Sequence, residues 1–224
     1  MRMFVALIRT CTFLSIDFGA IRWARVRRRA LRLGAFALAA LAGRREARSL
    51  TPMACAFVAG WLGVATGAPA SPGFLLTSLA LFILLGVAAL IDGLYFVLPD
   101  GPLLGLAALG ALIRVTDPPG SIAAFLGAGL CAYAAFWLFA RVYEKLSGRP
   151  GLGGGDVRLF AIAGLWLGGE GLVSCLLVAT GSALLSAALA WRSGELARRD
   201  DPLPFGPHIA LGLWLTWMFG PLST

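Results

Sequence analysis

Long apolar stretches fill most of this 224-residue sequence, and their length limits what it can fold into. An α-helix needs roughly 20 apolar residues to cross about 30 Å of hydrocarbon. The predicted spans cover residues 51–69, 73–92, 99–115, 121–142, 157–169, 171–191 and 206–221. Hydrophobic residues make up 59% of the chain, and its mean hydropathy is +0.84. Because lipid cannot satisfy backbone hydrogen bonds, we predict an all-α fold, a polytopic transmembrane helical bundle of about seven or eight spans.

The chain divides into two predicted parts, a basic N-terminal segment at 1–49 and a membrane-embedded domain at 50–224. The N-terminal segment is apolar but carries Arg9 and Asp17, and the basic cluster RWARVRRRALR follows. Basic amphipathic stretches bind anionic membrane surfaces. We therefore expect this segment to form either an extra span or an interfacial helix.

Charge in the connecting segments predicts the orientation of the bundle. The connectors GAPASPG, TDPPGS and GGEG carry no Lys or Arg, and they alternate with the basic connectors GRREAR, RVYEKLSGRPG and WRSGELARRDDP. Because basic connectors stay in the cytoplasm, the helix ends at Asp92 and Asp156 are predicted to face the cytoplasm. The net charge of +8 is concentrated in such segments, so it does not indicate a nucleic-acid partner. The four cysteines form no C-x-x-C pair, so neither a zinc site nor a disulfide framework is predicted.

Two carboxylates stand at the ends of apolar runs, where charged groups are costly and therefore rare without a function. Asp92 closes SLALFILLGVAALID, and Asp156 opens VRLFAIAGLWL. Two simpler interpretations remain open: Asp156 fits an N-cap, and Asp92 fits an interfacial side chain that faces water. At a helix C-terminus, however, a carboxylate opposes the helix dipole, which makes Asp92 harder to explain as structural.

Three glycines, Gly153, Gly154 and Gly155, precede Asp156. A phosphate-binding loop is not favoured, because no Lys-Ser or Lys-Thr follows and no strand pattern precedes. Glycines lack Cβ atoms, so they allow the backbone of another chain to approach a carboxylate closely. A peptide substrate is such a chain.

Three motifs in the same order resemble those of the prepilin leader peptidases, which are membrane-embedded aspartyl proteases. GLGGGDVRLFAIAGLWLG resembles the G-x-G-D signature, and ALIDGLYFVLPD resembles the other catalytic segment. Asp92 of the second segment precedes Asp156 of the first by 64 residues. PLPFGPHIALGLWLTWMFG resembles the C-terminal Pro-Phe-Gly-Pro segment. Arg158 stands where the family usually has Lys. The paired C-x-x-C motifs of larger members, which are linked to N-methylation, have no match in residues 1–50, so a short form without methyltransferase activity is expected.

The resemblance implies a leader peptidase that cleaves the short basic leader of type IV pilin or pseudopilin precursors. It implies catalysis by Asp92 and Asp156, without metal or other cofactor, at the cytoplasmic face of the bacterial inner membrane. The substrate-binding residues are then expected to be Gly153, Gly154, Gly155 and Arg158. The oligomeric state stays open. Two alternatives also stay open: a catalytically silent component of a pilus or secretion apparatus, and a small transporter.

The positions of the two aspartates on their helices predict different roles. A helix N-terminus favours an anion, so Asp156 is expected to act as the base toward water, with Arg158 as further support. Asp92 lies at a helix C-terminus among apolar neighbours, so it is expected to keep the shared proton and donate it to the scissile carbonyl. The single histidine, His208, is expected to be a packing residue.

Overall fold

Five α-helices make up the part of the chain that the computed structural model describes, residues 71–116, 121–193 and 203–222. They are α1 (Pro72–Tyr95), α2 (Asp100–Thr116), α3 (Ser121–Ser147), α4 (Gly154–Ser193) and α5 (Gly206–Phe219). No strand occurs in these described ranges, which agrees with the predicted all-α fold. The predicted N-terminal segment 1–49 and the predicted span 51–69 lie outside the described residues.

Three of the described helices are long and apolar enough to cross a membrane: Pro72–Tyr95, Ile122–Ser147 and Gly154–Arg192. The other two are shorter, with 17 residues in α2 and 14 in α5. The part of the chain described here therefore does not confirm the predicted count of seven or eight spans. It does confirm a bundle of helices that could span a membrane.

Helix α1 has distinct signals at its two ends. The Ser71 hydroxyl accepts the N–H of Phe74 at 3.2 Å, and Pro72 occupies the first turn, where its missing N–H has no cost. At the other end Phe96 adopts a left-handed conformation, φ 54°, and donates its N–H to the Asp92 carbonyl at 2.8 Å. The helix thus ends three residues past the predicted boundary, and Asp92 lies in its last turn.

Helix α4 reverses direction at Gly168, whose φ of 70° breaks the helical backbone. The first half runs parallel to α5, because Phe160 contacts Phe205 and Trp166 contacts Trp217. The returning half runs antiparallel to α5, because Gly171 lies against Thr216 and Ser182 contacts His208. Near the break, Trp166 packs against Trp217 with ring centroids 5.0 Å apart. Sixteen residues after Trp166, on the returning half, Ser182 lies 3.0 Å from His208 at the opposite end of α5. The break falls in the GGEG connector, which is predicted to separate two spans.

Helix α5 occupies the middle of the bundle. Most of its side chains are buried, because it is apolar on every face and packs against both α1 and the returning half of α4. Phe82 of α1 contacts Trp214, and Trp217 donates from its ring N–H to Ser78 at 3.1 Å. These pairs run in opposite order, so α5 is antiparallel to α1. Its N-terminus therefore meets the C-terminus of α1.

Helix α2 lies beside the first half of α4 and runs parallel to it. The Trp166 indole N–H donates to the Leu106 carbonyl at 2.9 Å, and the Trp166 carbonyl accepts from Arg114. Eight residues before Trp166, Arg158 pairs with Asp100 at the start of α2. The starts of α2 and α4 are consequently at the same end of the bundle as Asp92.

Candidate active site

The candidate site lies where the last turn of α1 meets the first turns of α4 and α5. These three helix ends carry Asp92, Asp156 and Gly206, which are far apart in the sequence. Phe160 of α4 and Phe205 before α5 have ring centroids 6.0 Å apart, which fixes the two helix starts beside each other. The three sequence motifs thus converge at one end of the bundle.

Asp92 is the more enclosed of the two carboxylates, with only 6% of its surface exposed. Its Oδ2 accepts the backbone N–H of Gly206 at 2.9 Å. A buried carboxylate without such a donor would be strongly destabilising. The bond therefore gives Asp92 a fixed orientation, and it places the N-terminus of α5 at this carboxylate.

Gly206 fits this position because it has no side chain. A Cβ there would lie 2.6 Å from Oδ2 of Asp92 and 2.9 Å from its Cγ. Such contacts are too short for either atom to tolerate, so any other residue would displace the carboxylate or the helix. Gly206 belongs to the Pro-Phe-Gly-Pro motif, but no role was predicted for it from the sequence. A glycine in the first turn of an apolar helix was the only signal.

Asp156 is half-buried in the first turn of α4, and its carboxylate accepts the backbone N–H of Gly153. Asp92 lies close enough that a charge on it would act on Asp156. Two carboxylates that interact at this range repel each other when both are ionised, so the arrangement favours one shared proton. Such a pair can activate water with one group and donate a proton with the other.

The three glycines before Asp156 have different surroundings. A Cβ on Gly153 would lie 3.1 Å from Oδ2 of Asp156, and a Cβ on Gly155 would lie 2.7 Å from Cβ of Leu98. A Cβ on Gly154 would meet no heavy atom within 4 Å among the described residues outside its own stretch of helix. Gly153 and Gly155 are thus explained by packing inside the protein. Gly154 is not.

Arg158 of α4 reaches the start of the neighbouring helix α2. It pairs with the Asp100 carboxylate at the start of α2, and its Nε donates to the Gly154 carbonyl at 3.2 Å. The predicted support of the Asp156 charge by Arg158 does not appear among its described contacts. Its positive charge is directed to Asp100, the last residue of the ALIDGLYFVLPD motif.

A groove of about 370 Å³ opens beside Gly154, between α3 and the loop that precedes α4. Aromatic, aliphatic and charged side chains line it. The lining residues include Tyr133, Trp137, Arg141, Leu152, Val157 and Arg158. The groove reaches the Asp156 side of the site, because Gly154, Val157 and Arg158 flank that aspartate in the chain.

His208 is buried, and its Nδ1 lies 3.0 Å from the Ser182 hydroxyl. The same hydroxyl donates to the Ala179 carbonyl at 3.0 Å. The pair therefore joins α5 to the returning half of α4, as expected for a packing histidine. Across the described ranges, no group of three or more His, Cys, Asp or Glu side chains could hold a metal ion.

Apolar helices of membrane-spanning length and two interacting carboxylates at one end of their bundle define a membrane-embedded protein with a candidate two-carboxylate site. The model of the type IV leader peptidase family matches residues 79–190, which is half of the chain and includes both aspartates. The chain therefore belongs to the type IV leader peptidase family, and the resemblance seen in its motifs is confirmed.

Several relatives share the name prepilin leader peptidase/N-methyltransferase. The protein from Xanthomonas campestris pv. campestris is 32% identical over 135 residues, 58% of this chain and 45% of the relative. The protein from Stutzerimonas stutzeri is 28% identical over 177 residues, 78% of this chain and 59% of the relative. The protein from Bacillus subtilis is 34% identical over 137 residues, 61% of this chain and 53% of the relative. The chain spans about half the length of the curated relatives it matches. No solved structure matches it.

Proposed function

We propose that this chain is an aspartic-type leader peptidase that removes the short basic leader of type IV pilin or pseudopilin precursors. The observation that carries the proposal is the pairing of Asp92 with Asp156 at the end of an apolar bundle. Gly154 lies beside this pair, and no packing contact among the described residues explains why it is a glycine. Membership of the leader peptidase family and the names of the relatives support the same reaction.

In the proposed mechanism the two carboxylates share one proton. Asp156 takes a proton from water as the water oxygen attacks the scissile carbonyl carbon, and Asp92 donates its proton to the carbonyl oxygen. The tetrahedral intermediate then collapses. The C–N bond breaks, the leaving amine takes the proton from Asp156, and Asp92 recovers its own from the gem-diol. No metal or other cofactor takes part in these steps.

Burial distinguishes the two carboxylates better than the helix dipoles do, because Asp156 lies in the first turn of α4 and Asp92 faces the first turn of α5. The start of α5 at Gly206 offsets the unfavourable C-terminus of α1 at Asp92. Asp92 is nevertheless the more enclosed group, and enclosure favours the neutral acid. Asp156 is half-buried and closer to water, which suits a base that must receive the attacking molecule.

The substrate backbone is proposed to pass Gly154, where a Cβ would have open space in the free protein. A segment that lies in the neighbouring groove contacts Trp137 and Tyr133. Gly153 and Gly155 then act on the substrate indirectly, because Gly153 holds Asp156 and Gly155 makes room for Leu98.

The site is proposed to face the cytoplasm, at the inner membrane of a bacterium. Basic residues cluster at the end of the bundle that carries the aspartates: Arg141 and Lys145 in the last turns of α3, Arg149 in the following loop, and Arg192 at the end of α4. Positive charge on one side of a membrane protein marks its cytoplasmic side.

Co-expression with a pilin-like precursor from the same genome tests the proposal. We expect the wild-type chain to convert the precursor to a shorter form with faster gel mobility, cut at the end of its basic leader. The variants Asp92→Ala and Asp156→Ala, matched for membrane level, should leave it uncut. A wild-type chain that cuts no such precursor would refute the proposed function and favour the catalytically silent component.

A further inference from the structure

We propose that Asp100 and Arg158 are positioning residues, an ion pair that sets the separation between the catalytic carboxylates. This inference rests on the proposed function and adds to it. Neither residue is assigned contact with the reacting atoms. Their role is to fix the start of α2 against the start of α4, and with it the relative placement of Asp92 and Asp156.

The chain path makes such a link effective. Asp100 follows Asp92 by eight residues and begins α2, whereas Arg158 follows Asp156 by two residues in the first turns of α4. The ion pair therefore bridges the two segments that carry the aspartates. A change in its length can therefore shift one carboxylate relative to the other.

Arg158 holds two groups at once. One nitrogen of its guanidinium pairs with Asp100, while Nε donates to the carbonyl of Gly154 at 3.2 Å. The planar fork of Arg suits such double contacts better than the single ammonium of Lys. Below the pair, Leu98 packs onto Gly155, where even a Cβ would lie 2.7 Å from it. A polar and an apolar contact thus both join the start of α4 to the segment that begins α2.

The pair is exposed, with 47% of the Arg158 side chain and 72% of the Asp100 side chain accessible. Exposed pairs contribute little to global stability. Catalysis is more sensitive, because misplacement of reacting groups by about 1 Å costs about 10²-fold in rate. The pair should therefore affect turnover far more than folding.

A positioning role and a substrate-binding role of Arg158 predict different kinetics. If Arg158 positions through Asp100, loss of either residue lowers turnover, and loss of both is no worse than loss of Arg158 alone. If Arg158 binds substrate, its loss raises the apparent KM, and loss of Asp100 adds to it independently.

A double-mutant cycle on precursor cleavage separates these cases. Asp100→Ala and Arg158→Ala should each lower kcat about 10-fold or more, with the apparent KM within about twofold. The kcat of the double variant should equal that of the less active single variant. The exchange Asp100→Arg with Arg158→Asp should recover part of the loss, but not all, because Arg at a helix N-terminus opposes the dipole. Arg158→Lys should fall between wild type and Arg158→Ala, since Lys keeps the charge but not both contacts.

The matched control uses two exposed charges that cannot touch. Glu170 and Arg192 lie near opposite ends of the returning half of α4, about 33 Å apart along the helix. Glu170→Ala and Arg192→Ala, alone and together, should leave kcat within about twofold. Additive losses in the Asp100 and Arg158 cycle, or a loss confined to KM, would overturn the positioning role.

Thermal unfolding in detergent gives a second readout that needs no substrate. Either single variant should lower Tm by about 2 °C, the double variant by no more, and the exchange variant should regain part of it. A wild-type chain without cleavage activity would contradict only the proposed function. The Tm values of the four variants would then show whether Asp100 and Arg158 are coupled. Additive Tm shifts would show that the two residues are not coupled and would overturn the inference.

Discussion

The surroundings of Asp156 and of Asp92 are built in different ways. Asp156 is held by its own stretch of chain: Gly153 donates to it, and Gly154 and Arg158 lie within one helical turn. Asp92 is held by a helix that starts 114 residues later, through the N–H of Gly206. One carboxylate thus depends on local sequence and the other on the packing of the whole bundle. Changes near Asp92 should therefore also act through the packing of α1 on α5.

Removal of either carboxylate should have the largest effect and test whether the two regions act as one unit. We expect Asp92→Ala and Asp156→Ala each to lower the cleavage rate about 10³-fold or more, because each deletes one proton-transfer group. The double variant should be no slower than the single ones. Measurement requires equal membrane levels of all three. Near-normal cleavage by either single variant would show that the aspartates are not a catalytic pair.

The amide variants should then separate the two roles. Asp92→Asn keeps a hydrogen-bond donor toward the scissile carbonyl, so a trace of activity is expected. Asp156→Asn loses the base, so none is expected. A single-turnover assay with excess enzyme gives the needed sensitivity. The opposite ranking would exchange the roles while leaving the pair in place.

The packing that holds Asp92 should be the next most sensitive feature. Gly206→Ala places a methyl group 2.6 Å from the Asp92 carboxylate, so that group must move. We expect kcat to fall about 10²-fold, which is the scale of a 1 Å displacement. Gly86→Ala is the matched control on α1, because its Cβ meets nothing within 4 Å. If both variants cleave at the wild-type rate, the Gly206 contact does not set the Asp92 geometry.

The glycines before Asp156 should divide into two kinds. Gly154→Ala adds a methyl group in open space, so Tm should not change, but kcat/KM should fall about 10-fold if the substrate backbone passes there. Gly155→Ala collides with Leu98, so we expect it to lower Tm as well. Thermal unfolding and cleavage measured on both variants give the comparison. Full activity of Gly154→Ala would place the substrate elsewhere.

The smallest effect is expected from the groove, which lies on the Asp156 side of the site. Trp137→Ala should raise the apparent KM about 5-fold, the consequence of losing roughly 1 kcal/mol of aromatic contact, with little change in kcat. Leu138→Ala is the control, because Leu138 is exposed on the same helix but does not line the groove. Equal KM values for the two variants would remove the groove from the substrate path.

Local patterns in the sequence were enough to predict the elements of the site. The apolar stretches predict the described helices because a lipid environment permits few other structures. The GGEG connector predicts the break at Gly168, since only glycine adopts φ 70° without strain. The glycine run and Asp156 are neighbours in the chain, so their motif shows the arrangement directly. Asp92 is recognisable for the same reason, as a costly charge at the end of an apolar run.

Contacts between distant residues were decided by the tertiary structure. Nothing in the Pro-Phe-Gly-Pro motif indicates that the N–H of Gly206 reaches Asp92, because every residue except proline carries that donor. The predicted contrast between the two aspartates was based on their own helices, and packing added the N-terminus of α5 to one of them. Arg158 looked like support for Asp156, but parallel packing of α2 on α4 brings Asp100 within its reach. Sequence determines which groups are present and which helix ends they occupy, whereas only packing determines which ends meet.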